Sequence, residues 1–316
     1  MKKLITILVP AYNEEEVLPL LMKRLDSLTG QLPNYSWELL FINDGSKDKT
    51  DEMLRSYAES DSRISYVNFS RNFGKEAALI AGFDYAKGDA VVNIDADLQD
   101  PPELIPEMIR YWEEGYDDVY AKRRSRAGET WFKKFSSRTY YRILQSSTLV
   151  PLQVDTGDFR LLSKRAVEAM KQFRESERYT KGMFSWIGFK KKELLYDRDP
   201  RAAGMAKQNY RKLINLAIDG ITSLTTAPLR ISTYVGAFTS FVAFVYIVYL
   251  LVRPLFGVPT VPGYASTLAV ILFLGGIQLL SLGIIGEYVG RIFNETKRRP
   301  LYFVETYHEG AHHTKK

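Results

Sequence analysis

The chain has 316 residues, a formal net charge of +6 and no cysteine. Its length accommodates an α/β catalytic domain of about 200–230 residues together with a smaller second unit. The absence of thiols excludes a disulfide framework and a thiolate metal centre, and the positive balance suits a membrane surface, phosphorylated ligands or nucleic acid without choosing among them. The three histidines, His308, His312 and His313, all lie in the last residues, which argues against a histidine-based site and reads as a solvated tail.

Residues 4–9 form a short apolar run that Pro10 interrupts and that Glu14, Glu15 and Glu16 follow. This is a first buried strand, too short for a secretory signal. A helix is expected over 15–28, a second strand over 39–42 ending in Asn43-Asp44-Gly45-Ser46, and a helix over 51–58. A third strand covers 64–69, with Ser70-Arg71-Asn72-Phe73-Gly74-Lys75 after it and a helix over 75–86. Strands alternating with helices at this spacing make βαβ units and a parallel sheet. Right-handed crossovers bring the carboxyl ends of such strands to one edge, where ligands of open α/β sheets bind.

The fourth strand, over 90–94, runs into Asp95-Ala96-Asp97-Leu98-Gln99-Asp100, and Pro101-Pro102 stops it. Two carboxylates with a glutamine two residues on offer only oxygen ligands, which suits a hard cation such as Mg²⁺ or Mn²⁺ shared with substrate phosphates. The plainer alternative is that these acids end a strand and cap the next helix. Against it stands a coincidence: successive strands end in Tyr12 and Glu14, in Asp44, and in Asp95 and Asp97.

A fifth strand is expected at 118–120, and the basic run Lys122-Arg123-Arg124-Ser125-Arg126 follows on the same edge. It reads either as a phosphate clamp or as an exposed solvated loop. Residues 130–149 are aromatic and basic, an amphipathic helix for a membrane surface or for packing on the sheet. Residues 155–162 form a polar turn feeding a strand or helix, Ser163 caps a helix through Glu168, and 178–189 make a shaped loop or short helix. A polar basic loop over 198–210 precedes an amphipathic helix over 211–227.

Residues 231–252 and 265–286 are uncharged apolar runs, each long enough to cross a hydrocarbon core of ~30 Å. The 254–263 connection, with Pro259 and Pro262, makes a tight hairpin between them. Arg211, Lys212 and Arg230 precede the pair and Arg291, Lys297, Arg298 and Arg299 follow it, outvoting Arg253 and putting both flanks in the cytoplasm. The expected organisation is a catalytic domain over 1–210, a juxtamembrane helix over 211–229, a membrane hairpin over 230–290 with spans near 231–252 and 265–289, and a cytoplasmic tail over 291–316.

Val9-Pro10-Ala11-Tyr12-Asn13-Glu14-Glu15, Asn43-Asp44-Gly45-Ser46-Lys47-Asp48-Lys49-Thr50, Asp95-Ala96-Asp97-Leu98-Gln99-Asp100-Pro101-Pro102 and Asp155-Thr156-Gly157-Asp158-Phe159-Arg160 together resemble the inverting family 2 glycosyltransferases. More closely, the chain is similar to the bacterial polyisoprenyl-phosphate (bactoprenol) glycosyltransferases and to dolichol-phosphate mannose synthase. The resemblance implies an α/β, Rossmann-like, mostly parallel sheet of the GT-A nucleotide-diphospho-sugar transferase type. It departs from relatives at Gly204-Met205-Ala206-Lys207-Gln208-Asn209-Tyr210, and the Gln-x-x-Arg-Trp motif of processive synthases is absent.

Carried over by position, the resemblance implies that Pro10, Ala11, Tyr12, Glu14, Asp44, Lys75, Asp95 and Ala96 bind the donor nucleotide. Asp97 and Gln99 would hold Mg²⁺ or Mn²⁺, Arg123 or Arg124 the acceptor phosphate, and Arg160 would face the phosphates. Asp158 is the candidate base by position, or else an orienting group. The implied reaction moves glucose or N-acetylglucosamine from a UDP-linked donor to polyprenyl phosphate at the cytoplasmic face, for modification of a cell-envelope glycan. Mannosyl transfer from GDP-mannose and transfer to a hydroxyl are the alternatives. A nucleotidyltransferase would need a phosphate-cradling glycine loop that the chain lacks, and a membrane scaffold would not explain four polar motifs on one sheet edge. No nucleic-acid partner is implied. Gly275, Gly276, Gly283, Gly286 and Gly290 suit packing with further copies of the chain.

Overall fold

The computed structural model describes residues 2–124, 156–176, 180–196, 222, 225–252 and 263–311. The expected amphipathic stretch over 130–149, the basic loop over 198–210, nearly all of the expected helix over 211–227, and His312 and His313 lie outside these residues.

The first half of the chain alternates as its periodicity dictates. Strands β1 (Leu4–Ala11), β2 (Ser36–Asn43), β3 (Ile64–Phe69) and β4 (Ala90–Asn93) are separated by helices α1 (Leu18–Gln31), α2 (Thr50–Ser60) and α3 (Lys75–Tyr85). Pro19 sits in the first turn of α1, where a missing amide costs nothing; the helix therefore starts later than residue 15. After β4 come a 3₁₀ turn (Pro102–Leu104), helix α4 (Ile105–Glu113), β5 (Asp118–Arg123), β6 (Thr156–Ser163), α5 (Lys164–Lys171), α6 (Thr180–Trp186) and β7 (Lys191–Tyr196). The Ser163 hydroxyl accepts from the Ala166 amide and caps α5, as the sequence suggests.

The strands form one sheet in the order β7-β5-β6-β4-β1-β2-β3, with an eighth strand beyond β3. Pairings β1–β2, β1–β4, β2–β3 and β5–β7 are parallel, whereas β4–β6 and β5–β6 are antiparallel. Ile5, Ile7, Val9, Leu39 and Phe41 face one layer with α1, α2 and α4, while Leu8, Leu40, Ile42 and Val67 face α3, α5 and α6 on the other. Alternation of side chains along a strand makes both faces apolar, as a sheet covered by helices on both sides requires. From β1 the chain moves outward through β2 and β3, then returns to lay β4 on the opposite side of β1. That reversal is a topological switch point, and it opens a crevice beyond the carboxyl ends of β1 and β4.

The long apolar runs are helices α7 (Ala227–Val252) and α8 (Tyr264–Thr296). None of the apolar window in either helix is buried, so they are not core helices of a soluble fold. At 33 residues, α8 extends about 50 Å, well beyond a ~30 Å hydrocarbon core. The Ser232 hydroxyl donates to Ser281 Oγ at 2.7 Å, and the Tyr288 hydroxyl donates to the Thr225 carbonyl at 2.6 Å, clasping the pair near the start of α7.

The tail corrects a sequence expectation. Residues 304–308 are not an unpaired end: β8 (Val304–His308) adds antiparallel to β3. Tyr302 stacks on Phe69, His308 stacks on Tyr66, and the Gly310 amide donates to Ser65 Oγ. The exposed edge of β3 offered unpaired amides and carbonyls, and the tail satisfies them. The sheet thus includes a strand from beyond the second apolar helix, which a division at residue 210 separates.

Candidate active site

Local turn chemistry brings the strand ends together. Asn13 takes φ +57, a left-handed conformation that asparagine tolerates. Its amide donates to Ser46 Oγ at 2.9 Å and its Oδ1 accepts from the Lys47 amide at 2.8 Å, fastening the β1 loop to the β2 loop. Asp44 accepts from the amides of Phe73 and Gly74 at 2.6 and 2.9 Å and from Asn72 Nδ2 at 3.0 Å, fastening the β2 loop to the β3 loop. Burial pushes the Asp44 carboxyl above the ordinary aspartate value, more than those amides pull it down.

Gly45 is needed where these loops cross. Its φ is +63, and a Cβ there would stand 2.4 Å from the Arg71 carbonyl carbon. Gly45→Ala is expected to cost at least about 2 kcal/mol through backbone strain and clash, read as a lowered thermal unfolding midpoint; an unchanged midpoint would show that the loops yield freely.

Beyond these loops lies a cavity of about 330 Å³ lined by Pro10, Ala11, Tyr12, Glu14, Asp44, Asn72, Gly74, Lys75, Ala78, Asp95, Ala96 and Asp97. Every residue the resemblance implied for the donor nucleotide is on that list, at the switch point of the sheet. Asn72, Gly74 and Ala78 were not singled out from sequence, although the polar run after the third strand was the available signal. Tyr12 is 42% exposed, an aromatic face open to the cavity.

Lys75, at the start of α3, reaches Asp95 Oδ1 at 2.6 Å and Asp158 Oδ2 at 2.7 Å. Because β6 runs antiparallel to β4, with Asn93 opposite Arg160, Asp158 enters β6 where Asp95 leaves β4. Asn93 Nδ2 also donates to the Asp158 carbonyl at 2.8 Å. Burial works to lower the Lys75 pKa, but Asp95 and Asp158 outweigh it and hold the ammonium well above the ordinary lysine value.

The Asp97 carboxylate accepts from the Gln99 amide at 3.1 Å, and Leu98 between them has φ +58. A leucine in that region costs on the order of 1–3 kcal/mol, and such strain concentrates where a loop must aim functional groups. Asp95 and Asp97 present carboxylate oxygens at one cavity, and Mg²⁺ is ordinarily held by one or two carboxylates plus substrate phosphates. The residues present therefore fit a hard divalent cation. Gln99 follows Asp97 in the same turn but does not line the cavity.

The basic residues lie partly elsewhere than their sequence positions suggest. Lys122 and Arg123 complete strand β5 and do not belong to a loop. Arg123 is half-buried and Arg124 exposed, at the same sheet edge as the acids but outside the cavity lining. Arg160 does not face the crevice: it is 0% exposed and pairs with the equally buried Asp118 at 3.1 Å. Its guanidinium lies 3.7 Å from the centre of the Phe184 ring. In β6 the side chains alternate, so Asp158 and Arg160 share a face; the large guanidinium is buried under α6 while Asp158 remains at the rim.

Residues 6–170 match the family model described as glycosyl transferase family 2, and residues 227–292 match that of the GtrB C-terminal hairpin. The chain is 49% identical to an uncharacterized glycosyltransferase of Synechocystis over 95% of its own length and 94% of that protein. It is 44% identical to the SfII prophage-derived bactoprenol glucosyl transferase of Shigella flexneri, covering 97% of this chain and 99% of that one. Among solved structures, mannosyl-3-phosphoglycerate synthase from Rubrobacter xylanophilus aligns over 69% of this chain and 71% of its own at 16% identity, with a TM-score of 0.47. With sequence identity running through both the sheet and the hairpin, the chain belongs to the family 2 glycosyltransferases.

Proposed function

We propose that the protein is a membrane-bound, inverting glycosyltransferase that moves glucose or N-acetylglucosamine from a UDP-linked donor to polyprenyl phosphate at the cytoplasmic face. The observation that carries this reading is the convergence of Tyr12, Lys75, Asp95 and Asp97 on one cavity in a chain that ends in an unburied apolar hairpin. Similarity to bactoprenol glucosyl transferases over nearly the whole chain supports the lipid acceptor. Lys and Arg at both outer ends of the hairpin support two crossings with the catalytic domain and both termini inside.

In this reading Tyr12 stacks on the base, Pro10, Ala11, Glu14 and Asp44 shape the nucleoside site, and Lys75 meets the donor diphosphate. Asp97 with Gln99, and Asp95 beside them, would hold Mg²⁺ or Mn²⁺, which when bound neutralises charge on the leaving diphosphate. The acceptor oxygen is already ionised near neutral pH, since a phosphate monoester has a second pKa of about 6. A strong base is then unnecessary, and the Asp158–Lys75 ion pair favours an orienting role for Asp158. Arg123, at the end of β5, would receive the acceptor phosphate. Holding both reactants at one edge near the bilayer removes translational freedom from the barrier.

Membranes carrying the protein should transfer label from radiolabelled UDP-glucose, UDP-N-acetylglucosamine or GDP-mannose into added polyprenyl phosphate, and a chelator should abolish the transfer. The donor that labels lipid names the sugar. Absence of lipid label with all three donors would remove the reading.

A further inference from the structure

The segment that leaves α8 runs against the loop that walls the cavity before it becomes β8. The register of β8 on β3 slips at Phe69, which pairs with Val304 while Asn68 pairs with Thr306, so Glu305 stands out as a bulge. That slip carries the chain to Phe303, whose carbonyl accepts from the Ser70 amide at 3.0 Å. Ser70 opens the connection from β3 to α3, and Asn72 and Gly74 within it, with Lys75 at its end, line the cavity. The Phe303 ring lies 6.2 Å from the Phe73 ring, which Phe69 meets edge-on at 5.7 Å and the Arg71 guanidinium covers at 4.1 Å. Tyr302 fixes the approach. Its ring stacks on Phe69 at 5.0 Å, its hydroxyl donates to Asp84 Oδ2 at 2.8 Å, and Arg174 grips both oxygens of that carboxylate at 2.8 Å.

The β3–α3 loop is gripped from two sides. The amides of Phe73 and Gly74, with Asn72 Nδ2, donate to Asp44 on one side, and the Phe73 ring rests on the tail on the other. Gly74 adds no rigidity of its own: its φ is +97, and a Cβ there would meet nothing within 4 Å. Arg71 and Asn72 are exposed. A loop with so few buried contacts opens at little cost, and ordering it on binding would subtract from affinity. Anchoring its one large apolar side chain removes that cost in advance. Phe303 is 56% exposed, so it covers Phe73 from outside and its loss leaves the core of the sheet intact.

We propose that Phe303, steered by Tyr302, is a positioning residue for the donor: by bracing Phe73 it holds Asn72, Gly74 and Lys75 where the nucleotide sugar is received. The proposal rests on the nucleotide-sugar reading above, and it makes the donor pocket depend on chain that lies beyond the apolar hairpin. In the full chain, with polyprenyl phosphate held at saturation and the nucleotide sugar that labels lipid varied, Phe303→Ala should raise the donor KM about fivefold, the scale of one aromatic pair. The acceptor KM and kcat should change little. Phe303→Tyr keeps the ring and should restore the donor KM. Tyr307→Ala removes a ring packed on Tyr85 at 4.6 Å, opposite Val67, and so loosens the same strand away from the loop. It should lower the thermal midpoint and leave the donor KM unchanged. Adding Phe303→Ala to Phe73→Ala should raise the donor KM little further, because the brace acts through that ring. A donor KM that is unchanged in Phe303→Ala, raised equally in Tyr307→Ala, or raised in full by Phe303→Ala on top of Phe73→Ala overturns the proposal and leaves the nucleotide-sugar reading intact. Absence of lipid label from the unaltered chain with every donor overturns both.

Discussion

Asp97→Ala is expected to lower sugar transfer by about 10³ or more, the scale set by removing a group that stabilises charge developing on a leaving group. Its neighbours explain why the loss should be catalytic. Asp97 is partly exposed on the cavity wall, and its Oδ1 accepts from the Gln99 amide in a local turn. Losing such a turn bond costs about 1 kcal/mol, so the variant should fold. Asp97→Asn keeps an oxygen for the turn but not the charge, and should be nearly as inactive as the alanine variant. Initial rates of lipid labelling, with thermal unfolding of the same preparations, separate the two effects. Retention of a tenth or more of the activity by either variant would show that Asp97 does not serve the departing diphosphate.

Asp118→Ala is expected to be the most damaging single change to stability in the sheet. Arg160 and Asp118 are both 0% exposed, paired at 3.1 Å between β5 and β6. Removing one member strands a guanidinium in a low-dielectric interior, a loss of about 3–5 kcal/mol. Replacing both, as Asp118→Leu with Arg160→Met, removes the charges together and should recover most of that loss. Chemical denaturation of the two variants measures the difference. Equal stability of the single and double variants would mean that water reaches the guanidinium and that the pair is not closed to solvent.

How much of the site was legible in advance follows from how local each signal is. Tyr12, Glu14, Asp44, Lys75, Asp95 and Asp97 were readable because each sits at the end of an apolar strand or the start of the next helix, and parallel crossovers put such positions on one edge. All six line the cavity. Arg160 was placed at the phosphates by the resemblance alone, and nothing local announces the buried Asp118 as its partner. The hydrogen bond from the Tyr196 hydroxyl to Asp100 Oδ1, 2.6 Å, carried no signal at all. Its significance depends on parallel pairing with β5, and the pairing partner of an edge strand is set by packing and not by its own residues. The tail failed for a similar reason: Val304 to His308, with Glu305, Thr306 and His308 among five residues, read as solvated until the unpaired edge of β3 supplied the partners.

The amino-acid sequence by itself determined the alternating strands and helices, the acid loop at the end of the fourth strand, and two long apolar helices. These depend on periodicity, turn chemistry and composition, all of which act over a few residues. Only the tertiary structure decided that Lys75 bridges Asp95 and Asp158, that Arg160 is sealed inside with Asp118, that Tyr196 reaches Asp100, and that the chain returns from its hairpin to finish the sheet. Each of those contacts joins segments far apart in the chain, and which of the chemically acceptable partners meet is fixed by strand order and register once the core has packed.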